Sequence, residues 1–475
     1  MKKALAANGL FRAIFTLLMG GAVAQLVPLL LGPVLTRLFT PEAFGVFTAF
    51  TTVAATVAVV ACARYEFALP MARDEGEARA LFALCVGICV VTALVCVPLG
   101  ILLHYLGRLP LHGLLFLTVL ATGLLQLLVM WGSRVQAFRA LAISRVLQYG
   151  GAAVLQVALG WVLWRRAHQP ASTDAAWGLV VAQVCAVALA LMPLLPIAPK
   201  IRWLRNQFRQ PWQRQVVTSV EADSVQSVND SISVLDVDAA NSVDVSTLRQ
   251  VAKRYRDFPL LNTPHAFLGT AQDALAVALL VAWQGDAAAG FWGLALRYLK
   301  APATLVGSAV SQVLYPRLAA AQPDEARRMV RQAMLLLAAV AAPMVLVLMV
   351  AGPWLFARIF GPGWREAGEL ARALAPYIGV HFVAAPLAVV TMAWQAQRWA
   401  FRWALVGQVA FVAALGLGLR VGGLLMGAWA VSAAMTMYFG IYFWRLAFWR
   451  DIPDHTAQTH TAPAQPELFK GDSHP

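Results

Sequence analysis

Apolar residues run in long unbroken stretches along the 475-residue chain, separated by shorter polar segments. Twelve such runs of about 20 residues fall near 13–36, 43–63, 80–103, 112–133, 145–164, 175–198, 260–283, 288–313, 330–352, 370–394, 400–419 and 424–446. A helix rises 1.5 Å per residue, so about 20 residues carry it across roughly 30 Å of hydrocarbon. The pattern therefore predicts an all-α polytopic membrane protein of about twelve transmembrane helices. A closed barrel, the other spanning solution, needs alternating segments of about ten residues, and these runs are longer and uniform.

Composition strengthens that reading. Apolar residues make up 60% of the chain and charged residues 13%, more apolar surface than one soluble core buries, so the excess faces lipid. A net charge of +14 raises nucleic acid as a partner, but the basic residues gather in alternate loops and form no single patch, so no nucleic acid is expected. Placing the N-terminus in the cytoplasm puts roughly 27 of the 37 Lys and Arg on that side and about eight outside, so both termini are expected in the cytoplasm. Lys2 and Lys3 resemble the start of a signal peptide, yet the run after them is long, carries Arg12 and lacks a small-residue cleavage site. It is expected to be kept as the first span. Cys62, Cys85, Cys89, Cys96 and Cys185 all fall inside predicted spans without zinc-site spacing, which predicts small buried apolar side chains and no metal or cofactor. No nucleophile with a base and no phosphate-cradling Gly loop with Lys occurs, which points to a transporter and away from an enzyme.

The runs divide into two sets of six: a lobe over 1–198, a cytoplasmic linker over 199–258, a second lobe over 259–449, and a polar tail over 450–475. The linker has basic flanks (Lys200, Arg202, Arg205, Arg209 and Arg214, then Arg249, Lys253, Arg254 and Arg256), as suits a connection near anionic lipid. Between them, Val216 to Thr247 contains no basic residue, and Glu221, Asp223, Asp230, Asp236, Asp238 and Asp244 lie among Ser, Val and Asn. An insert over about 217–248 is expected to be disordered, either a solvated linker or a docking segment for a partner. The halves resemble each other: Ala24-Gln25 matches Ala271-Gln272, Phe44-Gly45-Val46-Phe47 matches Ala289-Gly290-Phe291-Trp292, and Asp74 to Arg79 matches Pro323 to Arg327. With an even helix count in each half, the repeat is parallel, and a cavity between two lobes is the expected site.

A charge inside a span costs at least about 2.5 kcal/mol at the bilayer centre, so it marks a wet cavity or a partner. In the eighth span Arg297, Lys300, Thr304, Ser308 and Ser311 recur at helical spacing within about 80° of arc. Leu299, Val306, Val310 and Val313 lie off that stripe. Arg297 and Lys300 stand ten or more residues from the outer end, which argues for anion binding over snorkelling, with an internal ion pair as the structural alternative. Asp273 in the seventh span is a candidate partner for Arg297 if the turn between these spans lies near Gly285. In the first span Asn8, Arg12 and Thr16 form a second polar face, where Arg12 contacts either substrate or lipid phosphate. Gly20, Gly21, Pro28, Gly32 and Pro33 mark the same span as a place to bend. Arg64 and Glu66 flank Tyr65 at the inner end of the second span, where a structural ion pair or aromatic anchor is the simplest account ahead of a functional role, and His381 reads as a hydrogen-bonded core residue ahead of a proton relay.

Further along, a set of segments in order and spacing resembles the polysaccharide or O-antigen flippases of the multidrug/oligosaccharidyl-lipid/polysaccharide (MOP) exporter superfamily. They are Gln25 to Pro28 with Leu35 to Gly45, Arg64-Tyr65-Glu66, Tyr255 to Pro259 with Asn262-Thr263-Pro264, and Ala295 to Leu299, Ala301-Pro302 and Gly307 to Val313. The resemblance implies a two-lobed flippase of the bacterial inner membrane that turns undecaprenyl-diphosphate-linked oligosaccharide from the cytoplasmic to the periplasmic leaflet. Its implied partners are the lipid-linked oligosaccharide, membrane lipid and other polysaccharide-assembly proteins. Arg297 and Lys300 would then host the diphosphate and the Ser and Thr hydroxyls the sugar, with Glu66 or Asp273 as ion-coupling candidates. The acidic insert departs from the family's shorter connection. A drug or organic-cation exporter of the same superfamily would favour acids in its cavity, and a membrane polymerase or ligase would keep a large periplasmic loop; this chain has a basic stripe and a long loop placed by charge in the cytoplasm.

Overall fold

The structure, a computed structural model, describes residues 24–105, 112–199 and 245–449. Arg12 with Asn8 and Thr16, the acids of the insert through Asp244, and the tail from 450 onward lie outside the described residues. The helices are α1 (Ala24–Leu38), α2 (Pro41–Ala58), α3 (Glu75–Tyr105), α4 (Leu115–Arg134), α5 (Phe138–Arg166) and α6 (Trp177–Leu191). After them come α7 (Val245–Arg254), α8 (Thr263–Gln284), α9 (Asp286–Ala320), α10 (Pro323–Phe360), α11 (Arg365–Ala393) and α12 (Gln397–Ala447). Among the described residues there is no strand, only an isolated bridge between Phe39 and Ala171.

Eight of these helices (α2, α3, α4, α5, α8, α10, α11 and α12) are long and apolar enough to cross a membrane, and α1 and α6 are shorter apolar helices. The 51 residues of α12 are two spans joined at a kink, where Gly422 (φ −151°, ψ 24°) and Gly423 (φ 70°, ψ −157°) leave helical values. With α9, all twelve predicted spans find a helical counterpart. The turn before α9 does lie at Gly285, whose φ of 84° stops α8. The described part of α1 stays helical through Pro28, Gly32 and Pro33.

Local chemistry sets the ends. Thr40 caps α2, accepting a hydrogen bond from the Ala43 amide at 3.4 Å, with Pro41 in the first turn where its missing N–H costs nothing. Asp74 and Glu77 form a reciprocal cap on α3: the Glu77 amide donates to Asp74 Oδ1 and the Arg73 amide to Glu77 Oε2, each at 2.7 Å.

Two compact units divide the chain, one comprising Met1–Leu294 with Pro353–Gly368 and the other Ala295–Gly352 with Glu369–Pro475. In the first, α3 packs along α4 through Cys85, Cys89, Ala93 and Cys96 against Leu115, Val119, Leu125 and Leu127. Four of the five cysteines are buried as expected, but Cys62 falls past the end of α2 and Cys185 is exposed on α6, outside the packed core. In the second unit an aromatic zipper joins the two halves of α12. Trp399 and Trp403 stack at 6.0 Å, and each stacks in turn on a tyrosine of the other half, Tyr442 at 5.7 Å and Tyr438 at 5.1 Å. The Arg331 guanidinium of α10 donates to the Ala447 carbonyl at 3.0 and 2.8 Å and so caps α12.

Within the first unit, α2 crosses the first turns of α9 with backbones in contact. A Cβ on Gly45 would overlap the Asp286 carbonyl, one on Gly290 the Pro41 carbonyl, and one on Gly293 the Thr48 side chain. Phe44 and Phe291 both pack edge-on against Trp364, at 5.0 and 5.9 Å, and the Trp364 indole donates to the Thr36 carbonyl at 2.9 Å. Replacing Gly290 by Ala should destabilise the protein by about 1–3 kcal/mol through overpacking, whereas Gly269→Ala on α8, with nothing within 4 Å, should stabilise it by up to about 1 kcal/mol through helix propensity. Thermal unfolding of the two variants should move in opposite directions from the parent; equal shifts would show that the crossing is loose.

Candidate functional site

The basic stripe lies on the part of α9 that belongs to the second unit. Arg297 is half-buried, eleven residues into the helix, and makes no salt bridge among the described residues. One turn on, Lys300 is also half-buried and lies within electrostatic range of His381 on α11. The His381 ring packs between Tyr377 at 5.7 Å and Phe439 at 6.1 Å. It sits against two aromatic rings with a cation in electrostatic range, a juxtaposition that its isolation in sequence gives no sign of.

Hydroxyls continue the stripe with a division the helical wheel misses. Thr304 and Ser308 are exposed and donate to their own helix, to the Lys300 carbonyl at 2.9 Å and the Leu305 carbonyl at 3.0 Å. Both oxygens keep acceptor capacity, and each hydroxyl can rotate to a ligand for the loss of one local bond. Ser311 instead turns to α11 and donates to the Pro386 carbonyl at 3.1 Å. Val306 and Val313 are exposed on the same stretch, the surface expected against lipid. The arrangement offers a guanidinium, an ammonium and two hydroxyls along about three turns of one helix, a chemistry suited to an anionic head with hydroxylated groups beyond it.

Both predicted acids lie in the first unit. Asp273 is exposed on α8 and makes no salt bridge among the described residues. Glu66 is 1% exposed, in the 3-10 turn Tyr65–Met71 that follows α2. Ala63 (φ 48°) and Arg64 (φ 62°) enter that turn in left-handed conformations that non-glycine residues rarely adopt. Arg64 stands 3.8 Å from Glu66 Oε1, while Glu66 Oε2 has no hydrogen-bond partner among the described residues. Burial pushes the Glu66 carboxyl above the usual carboxylate range, and a backbone hydrogen bond and Arg64 only partly offset it. The long ion pair and the raised carboxyl pull opposite ways; burial wins because 3.8 Å is too far for a strong charge-assisted bond.

Sequence reasoning also passed over two groups that hold this turn. Arg134 at the end of α4 donates to the Leu69 and Ala72 carbonyls, both at 2.9 Å. The Tyr65 hydroxyl donates to the Ala252 carbonyl of α7 at 3.1 Å, and Arg254 of α7 pairs with Glu77 at 2.8 Å. The signal for α7 was present: Leu248, Val251, Ala252 and Tyr255 recur at helical spacing inside the basic flank of the linker.

Comparison with known proteins agrees with the helical plan. Residues 241–369, which include Arg297 and Lys300, match a family model described as polysaccharide biosynthesis protein. No well-characterised protein sequence matches the chain. Among solved structures, the chain is similar to the inward-facing conformation of a multidrug resistance MATE family transporter of the MOP superfamily, at 12% identity and a TM-score of 0.61, over 92% of this chain and 96% of that one. It is similar to the lipid II flippase MurJ in an inward closed conformation at 9% identity and a TM-score of 0.61, over 90% of this chain and 89% of that one. The chain therefore has the fold seen in these MOP superfamily transporters, and the segment bearing the stripe lies within the match to the polysaccharide biosynthesis family model.

The raised Glu66 carboxyl fixes a sign for pH dependence. The folded state holds this proton more tightly than the unfolded chain does, so the contribution to stability is fully present below the unfolded carboxylate value of about 4.3 and is lost as pH rises through the folded value. Thermal unfolding midpoints measured from about pH 4 to pH 8 should therefore fall more steeply for the parent than for Glu66→Gln. Parallel curves would mean that Glu66 holds its proton no more tightly in the folded protein than in the unfolded chain.

Proposed function

We propose that the protein is a flippase for undecaprenyl-diphosphate-linked oligosaccharide, an O-antigen or other surface polysaccharide repeat unit, moving it from the cytoplasmic to the periplasmic leaflet of a bacterial inner membrane. The observation that carries this reading is Arg297: a guanidinium half-buried in α9, the counterpart of the eighth span expected from sequence, without a salt bridge among the described residues, one turn from Lys300, inside the segment that matches the polysaccharide biosynthesis family. Holding such a charge at membrane depth is costly unless an anion or water faces it. A diphosphate supplies the anion, and Thr304 and Ser308 present rotatable hydroxyls to sugars attached to it.

The lipid tail need not leave the bilayer while its head passes through a polar path. Moving two negative charges outward along an inside-negative potential is favourable by about 4–5 kcal/mol per 100 mV, so the potential supplies drive to such a step. Glu66, buried and short of one partner, is our candidate for coupling a proton to it, and Asp273 is the exposed alternative on α8. The charge distribution supports cytoplasmic termini and a cytoplasmic linker between two six-helix lobes. A drug or organic-cation exporter shares the fold, but the charged residues on α9 are basic, the wrong sign for that cargo. Catalysis as a polymerase or ligase gains no support from any nucleophile with a base in the chain.

Replacing Arg297 by Ala should abolish surface glycan assembly in a strain lacking the chromosomal copy while leaving protein abundance intact. Arg297→Lys should retain part of it, because the charge remains and the bidentate geometry is lost. Loss of a charge-assisted contact worth about 1.5–3 kcal/mol corresponds to a reduction of about 10- to 150-fold in transport. Full complementation by Arg297→Ala would overturn the assignment. A reporter fused at Asp236 should report the cytoplasm; periplasmic labelling there would reverse the orientation without touching the anion site.

A further inference from the structure

We propose that α7 is a docking surface for the headgroups of anionic membrane phospholipids, held against the first unit so that lipid charge stabilises the turn after α2. The helix has three distinct sides. Val251 is buried, and Leu248, Ala252 and Tyr255 pack with it on the core of the first unit. On one flank Arg254 pairs with Glu77, and the Ala252 carbonyl accepts from Tyr65. On the other, Arg249, Lys253 and Arg256 are exposed and fall within about 60° of arc, since helical bonding continues past Arg254 with the Tyr255 amide donating to the Val251 carbonyl at 3.1 Å. Asp257, also exposed, is the acid beside them.

Position supplies the occupant. Arg254 precedes the first residue of α8 by nine positions, and α8 carries a candidate span from Ala266 to Gln284. Between them Leu260 is 65% exposed, and Phe267 and Leu275 continue an exposed apolar face down α8. An exposed leucine and phenylalanine at the mouth of a span belong in acyl chains, which places the cationic flank of α7 at the depth of the phosphates. Three cations grouped just outside a spanning helix attract anionic lipid. Because Tyr65 lies between Arg64 and Glu66, headgroup binding on one side of α7 steadies the turn held on its other side.

The test uses the full chain in nanodiscs of phosphatidylcholine with or without phosphatidylglycerol, reading lipid retention by native mass spectrometry and the thermal unfolding midpoint. The parent should retain phosphatidylglycerol over phosphatidylcholine and be stabilised by it. The triple variant Arg249→Gln, Lys253→Gln, Arg256→Gln should lose that preference by about 10- to 100-fold while unfolding at the parent temperature in phosphatidylcholine alone. Should the triple variant unfold early, Arg249→Gln and Lys253→Gln singly should each lower the preference by about fivefold. Undiminished preference in these variants overturns the proposal, as does equal stabilisation of the parent by inorganic phosphate, which would make α7 a site for free anions.

Discussion

No water is available inside hydrocarbon to take up an unpaired amide or carbonyl, and the eight described helices long and apolar enough to cross it meet that constraint by staying helical, with a kink at Gly422 and Gly423 in α12. The constraint bears hardest on α9. It is 35 residues long, yet it is absent from the helices that are spanning by length and apolarity, because Arg297, Lys300 and the hydroxyls below them interrupt its apolar surface.

The crossing of α2 with α9 shows how the internal repeat is used. Phe44-Gly45 and Ala289-Gly290 are matched by the repeat, and in the structure each glycine lies against the backbone at the start of the other helix. A side chain on either would hold the backbones apart, and the two phenylalanines beside them share Trp364.

Polar groups at the end of α2 are organised by a different logic. Two consecutive left-handed residues, a nearly inaccessible carboxyl and an incomplete ion pair are each unfavourable, and they persist because Arg134, Tyr65 and the reciprocal cap at Asp74 and Glu77 hold the surrounding backbone. Through Arg254 and Tyr65, the same network fastens α7 to the first unit, so the end of the linker is part of the folded body.

Spans were legible from sequence because hydrocarbon demands long apolar runs, a signal that needs no knowledge of neighbours; the kink between the last two spans falls in the gap between 419 and 424. The basic stripe was legible for the same reason, since Arg297 and Lys300 stand out against an apolar helix. Helical spacing could not show that Ser311 turns aside to the Pro386 carbonyl while Thr304 and Ser308 stay exposed, because packing against α11 decides it. Nor could sequence bring His381 to Lys300, bury Glu66 beside a strained turn, or dock α7 through Tyr65 and Glu77. Those depend on contacts between residues up to 187 positions apart, and such contacts exist only once the helices have packed.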